Sequence, residues 1–330
     1  GRMLASIARI ITEPLMDVPL AKWLDAHVSH PEVRSLLLAV SRLTTYTNAP
    51  EKLSAGTAIK QLQMALGGGV LYLDGGWQTL VDGLRQAAER AGVVIQTGCR
   101  VETIERDESG RVTGVRLATG ESVACRAVLV AASPSVASSL AGSGVAVLRQ
   151  WSEAAIPVRA ACLDLALERL PRPRTLFALG IDKPLYFSVH SASARLAPAG
   201  AALIHMIWYR QARQSNEEKA DQIKGEFEAL LDLVQPGWSN LVVHSEFLPD
   251  LVVSNALPEA RTKGTSDWIE PQVEEMPGLF VAGDWVGNSG VLADASLGSA
   301  RAAVDSIIGS SQERALHRSA DVIVPAEMRL

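Results

Sequence analysis

The most informative part of the chain is the stretch GLFVAGDWVGNSGVLADASLGSARAAV, from Gly278 to Val304. Its apolar run Leu279–Ala282 predicts a short buried strand that ends at a Gly-Asp turn. Glycines fill the following loop, and Asp294 or Ser296 is expected to open a helix. A carboxylate at a strand end can hold a sugar hydroxyl, and a helix N-terminus attracts an anionic group. The stretch therefore predicts a ligand-binding turn, with a capped structural turn as the alternative.

A second stretch, which begins at Tyr72, makes the binding interpretation more specific. It contains Asp74-Gly75-Gly76-Trp77, a helix expected over Gln78–Ala91, a strand over Cys99–Ile104, turns at Gly110 and Gly120, and the small-residue turn Ala131-Ala132-Ser133-Pro134. In their order and separation, the two stretches resemble the FAD-binding parts of the phytoene desaturase and flavin amine oxidase superfamily. Together the two stretches cover roughly a third of the chain, and each follows a recognisable order of helix and strand patterns.

The resemblance implies a cofactor, FAD, and a set of residues that touch it. The backbone at Val101 would lie beside the adenine, and Gly283 and Asp284 would lie beside the ribityl-pyrophosphate. The segment that would direct helix N–H groups at the flavin ring consists of Leu292, Ala293, Asp294, Ala295, Ser296 and Leu297. Flavin accepts a hydride, so the protein mainly positions the substrate and tunes the ring. Catalytic side chains are not identified from the sequence.

The implied fold is of the mixed α/β (α+β) class. It combines a partial, Rossmann-like FAD-binding domain with a substrate domain of β-sheet and helices, and both are discontinuous in sequence. We assign residues 1–66 to the helical part of the substrate domain, 67–148 and 271–310 to the FAD-binding domain, 149–270 to the substrate domain and 311–330 to a tail. The substrate domain is expected to contain strands at 155–165, 185–190, 201–209 and 241–247, with a helix over 217–234.

One motif of the family is not found. Such proteins carry a G-x-G-x-x-G turn that binds the pyrophosphate, and here Gly142-Ser143-Gly144 lacks the third small residue. We therefore expect residue 1 to lie inside the family's fold, after its nucleotide-binding unit. Either an N-terminal segment or a partner chain would complete the FAD site, and the chain alone is expected to hold FAD weakly.

Composition limits the function classes. The 330 residues are 48% hydrophobic and carry a net charge of −5, without a basic stripe, so no nucleic-acid partner is expected. The cysteines at 99, 125 and 162 are odd in number and lack metal spacing, which favours a reduced, cytoplasmic protein without a metal. No apolar run reaches the roughly 18 residues of a membrane span, although peripheral membrane contact stays open.

The leading hypothesis is an FAD-dependent oxidoreductase that acts on a small apolar or amine-bearing substrate. The main alternative is a non-catalytic binding protein that lost half of its cofactor site, and an NAD-dependent dehydrogenase is less favoured. His190, His205 and His244 fall on predicted strands, where they either face a pocket or are structural. Tyr186, Trp208 and Tyr209 allow the same two interpretations, and Trp285 lies either beside the cofactor or in the core.

Overall fold

The computed structural model describes residues 7–212 and 219–320, with side chains up to residue 309. The described residues fall into two compact units, one within Gly1–Thr97 and Ile156–Gly264 and the other within Gly98–Ala155 and Thr265–Leu330. We call these unit 1 and unit 2. Residues 67–97 cluster with unit 1, whereas the sequence grouped them with the FAD-binding domain. The functional assignment of these ranges stays a prediction.

The helices follow the predicted order closely. They are α1 (Leu20–His27), α2 (Pro31–Thr45), α3 (Ala55–Gly68), α4 (Trp77–Arg90), α5 (Pro134–Ala141), α6 (Ala146–Ala154), α7 (Ala220–Val234) and α8 (Leu292–Ala320). Ser54 caps α3, since its hydroxyl accepts a hydrogen bond from the Thr57 N–H at 3.2 Å. Within the described residues, no helix combines the length and the apolar composition needed to cross a bilayer.

Most strands occur where the sequence predicts them, whereas the strand at 177–179 was not predicted. They are β1 (Val101–Arg106), β2 (Val112–Leu117), β3 (Ser122–Ala124), β4 (Val128–Val130), β5 (Val158–Leu167), β6 (Phe177–Leu179), β7 (Leu185–Val189), β8 (Ala202–Tyr209), β9 (Val242–Ser254) and β10 (Leu279–Val281). Strand β9 continues beyond the predicted end at Phe247 because it is an edge strand. An edge position tolerates Pro249 and the register shifts along its pairing with β5.

Unit 1 contains a five-stranded antiparallel sheet in the order β6-β7-β8-β5-β9. One face packs on α7, where the fully buried Phe187, Met206 and Phe227 belong to one apolar cluster. Each such side chain contributes about 1.5–3 kcal/mol when it is fully buried. The opposite face carries Cys162, Ile207 and polar aromatic residues, and it is the face on which a candidate site is found below.

Unit 2 contains an antiparallel meander, β1-β2-β3, and a parallel pair, β4 with β10. Phe280 pairs with Leu129, and β10 is buried along its whole length. A continuous apolar run is typical of a parallel strand that is covered on both faces.

Two predictions about α8 were wrong. The helix begins at Leu292, so neither Asp294 nor Ser296 opens it. The Ser296 hydroxyl donates to the Leu292 carbonyl at 3.2 Å, which is a bond inside the helix rather than an N-terminal cap. The helix also continues to Ala320, beyond the end predicted near Ile308. Residues 310–320 contain no proline and many good helix formers, and this composition extends the helix into the range assigned to a tail.

Candidate functional site

The parallel strands of unit 2 end at the same edge. The Ala282 N–H donates to the Val130 carbonyl at 3.0 Å, and the indole Nε1 of Trp285 donates to the Ala132 carbonyl at 2.8 Å. These bonds join the Gly-Asp turn after β10 to the small-residue turn after β4. In open α/β sheets, ligands bind outside the carboxyl ends of parallel strands. Trp285 itself is fully buried, so it is a core residue.

Gly283 lies where the backbone must pass very close to its neighbours. A Cβ at this position would lie 2.7 Å from Trp285 Nε1, so a side chain cannot be added without displacing the indole. The buried Ser299 hydroxyl on α8 binds the same glycine twice, since Gly283 N–H donates to it and it contacts the Gly283 carbonyl, both at 3.0 Å. The turn is therefore attached to α8 by one side chain.

The first turns of α8 present several predicted contact residues. Ala293, Asp294 and Leu297 are exposed, whereas Ala295 is fully buried and Ser296 is half-buried. The first N–H groups of any helix lack acceptors inside the helix and create positive potential. Leu292 adopts φ 57°, a left-handed conformation that is uncommon for a residue with a side chain. A close-approach glycine turn and free N–H groups fit an anionic, electron-rich ring system such as flavin.

The remaining predicted contacts are placed as follows. Asp284 is half-buried in the turn after β10, next to Gly283. Val101 is half-buried at the start of β1 and pairs with Leu117. The structure brings Gly283 together with α8 through Ser299, a residue that sequence reasoning missed. Ser299 could have been found from its spacing, because it lies one helical turn after Ser296. The role of each residue toward a cofactor stays a prediction.

A second group of residues lies on the sheet face of unit 1 that is opposite α7. Tyr46 and Tyr209 make an edge contact with ring centroids 6.1 Å apart, and Tyr72 is hydrogen-bonded to Tyr186. Burial raises the pKa of both Tyr186 and Tyr209, so these phenols stay neutral. The Tyr209 hydroxyl is buried but has no hydrogen-bond partner among the described residues. A buried hydroxyl without a partner usually indicates a water or ligand group.

Three titratable residues extend this face toward the other end of β8. His205 Nδ1 contacts Asp164 Oδ1, and the rings of His205 and His190 lie 5.0 Å apart. His190 also makes an edge contact with Tyr72 at 5.2 Å. Burial, together with the neighbouring His205, lowers the pKa of His190 to about 4. Asp164 was missed in the sequence because a single carboxylate in an apolar strand gives no motif.

The structure places several of the residues that were predicted to face either a pocket or the core. Trp208 packs in the apolar cluster under α7, whereas Tyr186 lies on the opposite face of the sheet. His205 is partly buried next to a carboxylate. His244 is exposed on the edge strand, 3.9 Å from Glu246. Successive side chains of a strand point to opposite faces of the sheet, so the sequence separates such residues into two sets. Only the tertiary structure shows which of the two faces packs on a helix.

A sequence model of the family described as flavin containing amine oxidoreductase matches residues 12–308. The match covers most of the chain, so the protein belongs to this family. It is an oxidoreductase with a flavin cofactor. No curated protein sequence matches the chain.

Solved structures with the same fold are distant in sequence. An oxidoreductase from Methanosarcina mazei is 16% identical with a TM-score of 0.67, and the alignment covers 88% of this chain and 68% of that one. Cyclohexylamine oxidase from Brevibacterium oxydans is 16% identical with a TM-score of 0.59 and coverages of 94% and 73%. A redesigned putrescine oxidase is 14% identical with a TM-score of 0.67 and coverages of 89% and 68%. At these identities the likeness concerns the fold.

Proposed function

We propose that the flavin is FAD and that the protein oxidises a small apolar or amine-bearing substrate by hydride transfer to it. The observation that carries the proposal is the turn at Gly283. A Cβ added at Gly283 would collide with Trp285, and α8 begins shortly after the turn, at Leu292. The family match supplies the chemical class. The alternative of a non-catalytic binding protein is not favoured by that match.

Three residues and one segment of this chain would hold the cofactor. Val101 would contact the adenine, Gly283 and Asp284 the ribityl-pyrophosphate, and the segment 292–297 the flavin ring. Bound flavin supplies a two-electron acceptor. The protein's part is to bring the backbone close at Gly283 and to hold positive helix potential toward developing negative charge. Ser299 maintains this arrangement, since it contacts both backbone groups of Gly283.

The substrate class is supported by the aromatic sheet face of unit 1. Ile207, Tyr186 and Tyr209 form a buried apolar cluster on this face, and the two tyrosines add hydroxyl groups to it. Apolar walls with a small number of polar groups are typical of small-molecule sites. The names of two solved structures, cyclohexylamine oxidase and putrescine oxidase, indicate amines as the first substrates to test.

We further propose that another segment or a partner chain completes the FAD site. The 330 residues contain no G-x-G-x-x-G turn for the pyrophosphate. In addition, α4 has no buried residue, with Trp77 63% and Leu84 55% exposed, and the apolar run Val93–Ile95 is exposed as well. Large apolar side chains that are exposed in such numbers are normally covered by another protein surface.

The test is to purify the complete gene product and residues 1–330 separately and to add FAD to each. The complete protein should show the absorbance band of oxidised flavin, and mass spectrometry of the released cofactor should identify FAD. Anaerobic addition of cyclohexylamine, putrescine or an apolar polyene should bleach the band for one of these classes. A complete protein that binds no flavin would refute the function. Tight, stoichiometric FAD in monomeric residues 1–330 would refute the need for a completing segment.

A further inference from the structure

We propose that Asp164, His205 and His190 form an acid–base site on the sheet face of unit 1. In this site, His205 takes a proton from a ligand bound on the face. Asp164 orients the His205 ring, and His190 lies beside His205 as a second proton acceptor. The inference deepens the proposed function, on which it rests for the identity of the oxidised substrate. Nothing in the family match or in the names of the similar structures assigns these residues.

The sheet register places the two main partners side by side. Asp164 on β5 is directly opposite His205 on β8, so both side chains project from the same face. Their contact uses the Nδ1 atom of His205 and leaves Nε2 without a hydrogen-bond partner among the described residues. The His205 side chain is 23% exposed, and ligand or solvent can therefore reach it. A carboxylate at one ring nitrogen fixes the tautomer in which the other nitrogen is a base.

His190 adds a second imidazole at short range. Its ring is tilted by 36° to that of His205 at a centroid distance of 5.0 Å. Two adjacent imidazolium ions would repel each other, so His190 stays neutral when His205 takes up a proton from the ligand. A neutral His190 can accept the proton in turn or pass it toward solvent.

The other charged and titratable groups on this face, or packed against it, include Glu246, His244, Cys162, Arg42, Tyr46, Tyr72, Tyr186 and Tyr209. Glu246 lies directly opposite Asp164 on β9, and its carboxylate lies 3.9 Å from His244. Tyr186 and Tyr72 are hydrogen-bonded to each other, and Tyr72 contacts the ring of His190. The carboxylate that contacts His205 is therefore that of Asp164.

A buried apolar cluster adjoins these groups on the same strand. Ile207 and Tyr209 follow His205 at alternate positions, and alternate positions share a face. These two residues are 4% and 0% exposed, whereas the His205 side chain is 23% exposed. A ligand can therefore reach this row of residues at its His205 end.

The chemical step is a proton transfer. An N–H or O–H bond of the ligand breaks, its electron pair stays on the ligand atom, and an N–H bond forms at His205 Nε2. Asp164, which contacts the ring at Nδ1, stabilises the imidazolium. No oxidant takes part in this step. A deprotonated amine or alcohol has an electron pair that assists hydride loss from the adjacent carbon, and bound flavin accepts that hydride under the proposed function.

The first test needs neither cofactor nor substrate. The protein is treated with 2-bromoacetophenone, an apolar alkylating agent, and the modification rate of each histidine is measured by peptide mass spectrometry. Asp164→Asn should slow alkylation of His205 by roughly tenfold or more, because the carboxylate fixes the tautomer in which Nε2 is the unprotonated, nucleophilic nitrogen. Exposed His27 should react at an unchanged rate, which controls for the reagent, and circular dichroism reports that the variant is folded.

Glu246→Gln is the matched control, since it removes a carboxylate from the same row that does not contact His205. This variant should change the His205 rate by less than about threefold, as expected for a partly solvated charge. Failure of His205 to react in the wild-type protein, or equal rates in wild type and Asp164→Asn, would overturn the proposal.

The second test uses the complete holoprotein with cyclohexylamine or putrescine, whichever reduces the flavin. His205→Asn should lower kcat/KM by about 100-fold and remove the acidic limb of its pH profile, whereas Glu246→Gln should keep both. An unchanged profile in His205→Asn would refute the acid–base role. If no amine or polyene reduces the flavin while the alkylation result holds, the proposed function fails and the acid–base site stands.

Discussion

Replacing Gly283 by alanine should disrupt the turn that follows β10. The added Cβ would lie 2.7 Å from Trp285 Nε1 and 2.9 Å from its Cδ1, so the fully buried indole must move. Overpacking of a well-packed core costs about 1–3 kcal/mol. Loss of the 2.8 Å bond from Trp285 to the Ala132 carbonyl leaves buried polar groups unsatisfied, at about 1–3 kcal/mol more. We expect a total loss of about 2–6 kcal/mol in the free energy of unfolding.

The assay is urea denaturation followed by tryptophan fluorescence, together with FAD titration of the complete protein. Gly287→Ala is the control from the same loop, because Gly287 has φ 72° and no atom within 4 Å of an added Cβ. That variant should lose only about 1–2 kcal/mol, the cost of a left-handed residue with a side chain. A Gly283→Ala variant that is as stable as Gly287→Ala would show that the collision with Trp285 is relieved without cost, and the reasoning would be wrong.

Three further outcomes are expected. Asp284→Ala should weaken FAD binding by roughly tenfold to a few hundredfold, because a hydrogen bond to a charged group contributes about 1.5–3 kcal/mol. The control is Asp305→Ala, at an exposed position, which should leave FAD affinity unchanged. Equal FAD affinities of the two variants would make Asp284 only a turn residue. Ser299→Ala should lower stability by about 1–3 kcal/mol, because Gly283 N–H loses its buried acceptor. The control is Ser306→Ala in the same helix, since the half-buried Ser306 hydroxyl donates to the Ala302 carbonyl within the helix; equal urea midpoints would contradict the prediction. The Arg159 hydrogen bond lowers the pKa of Asp250, so this pair stabilises the fold above the ordinary carboxyl pKa and the effect is lost as pH falls through the lowered value. Asp250 is 46% exposed, so Asp250→Asn should lower the free energy of unfolding by less than about 1 kcal/mol in urea denaturation at neutral pH. In strong acid the variant should be as stable as the wild type. A difference in stability that persists in acid would refute the electrostatic explanation.

Much of the fold could be predicted from local patterns. The run at β10 and the helix after Gly76 follow directly from hydrophobic period and turn residues. The start of α8 could not be predicted in this way, because the rule that polar residues open helices pointed to Asp294 and Ser296. The helix begins instead at Leu292, and the Ser296 hydroxyl bonds within the helix.

The candidate sites divide in a similar way. The Gly283-Asp284 turn is recognisable in the sequence because strand, glycine and acidic residue are consecutive. The Asp164–His205–His190 group is not, since its members come from different strands and a short 3-10 helix. Their proximity depends on the register between neighbouring strands. A slip of one residue would move the side chains of one strand to the other face of the sheet.

The sequence by itself determined the mixed α/β class, the family resemblance, the order of elements and the residues of the glycine turn. All of these depend on residues that are close along the chain, where period, turn chemistry and spacing act directly. Only the tertiary structure decided that Ser299 contacts Gly283, that Trp285 is core and that Asp164 meets His205. Each of these contacts joins residues on different elements of the structure. The packing that brings those elements together has no local signature in the sequence.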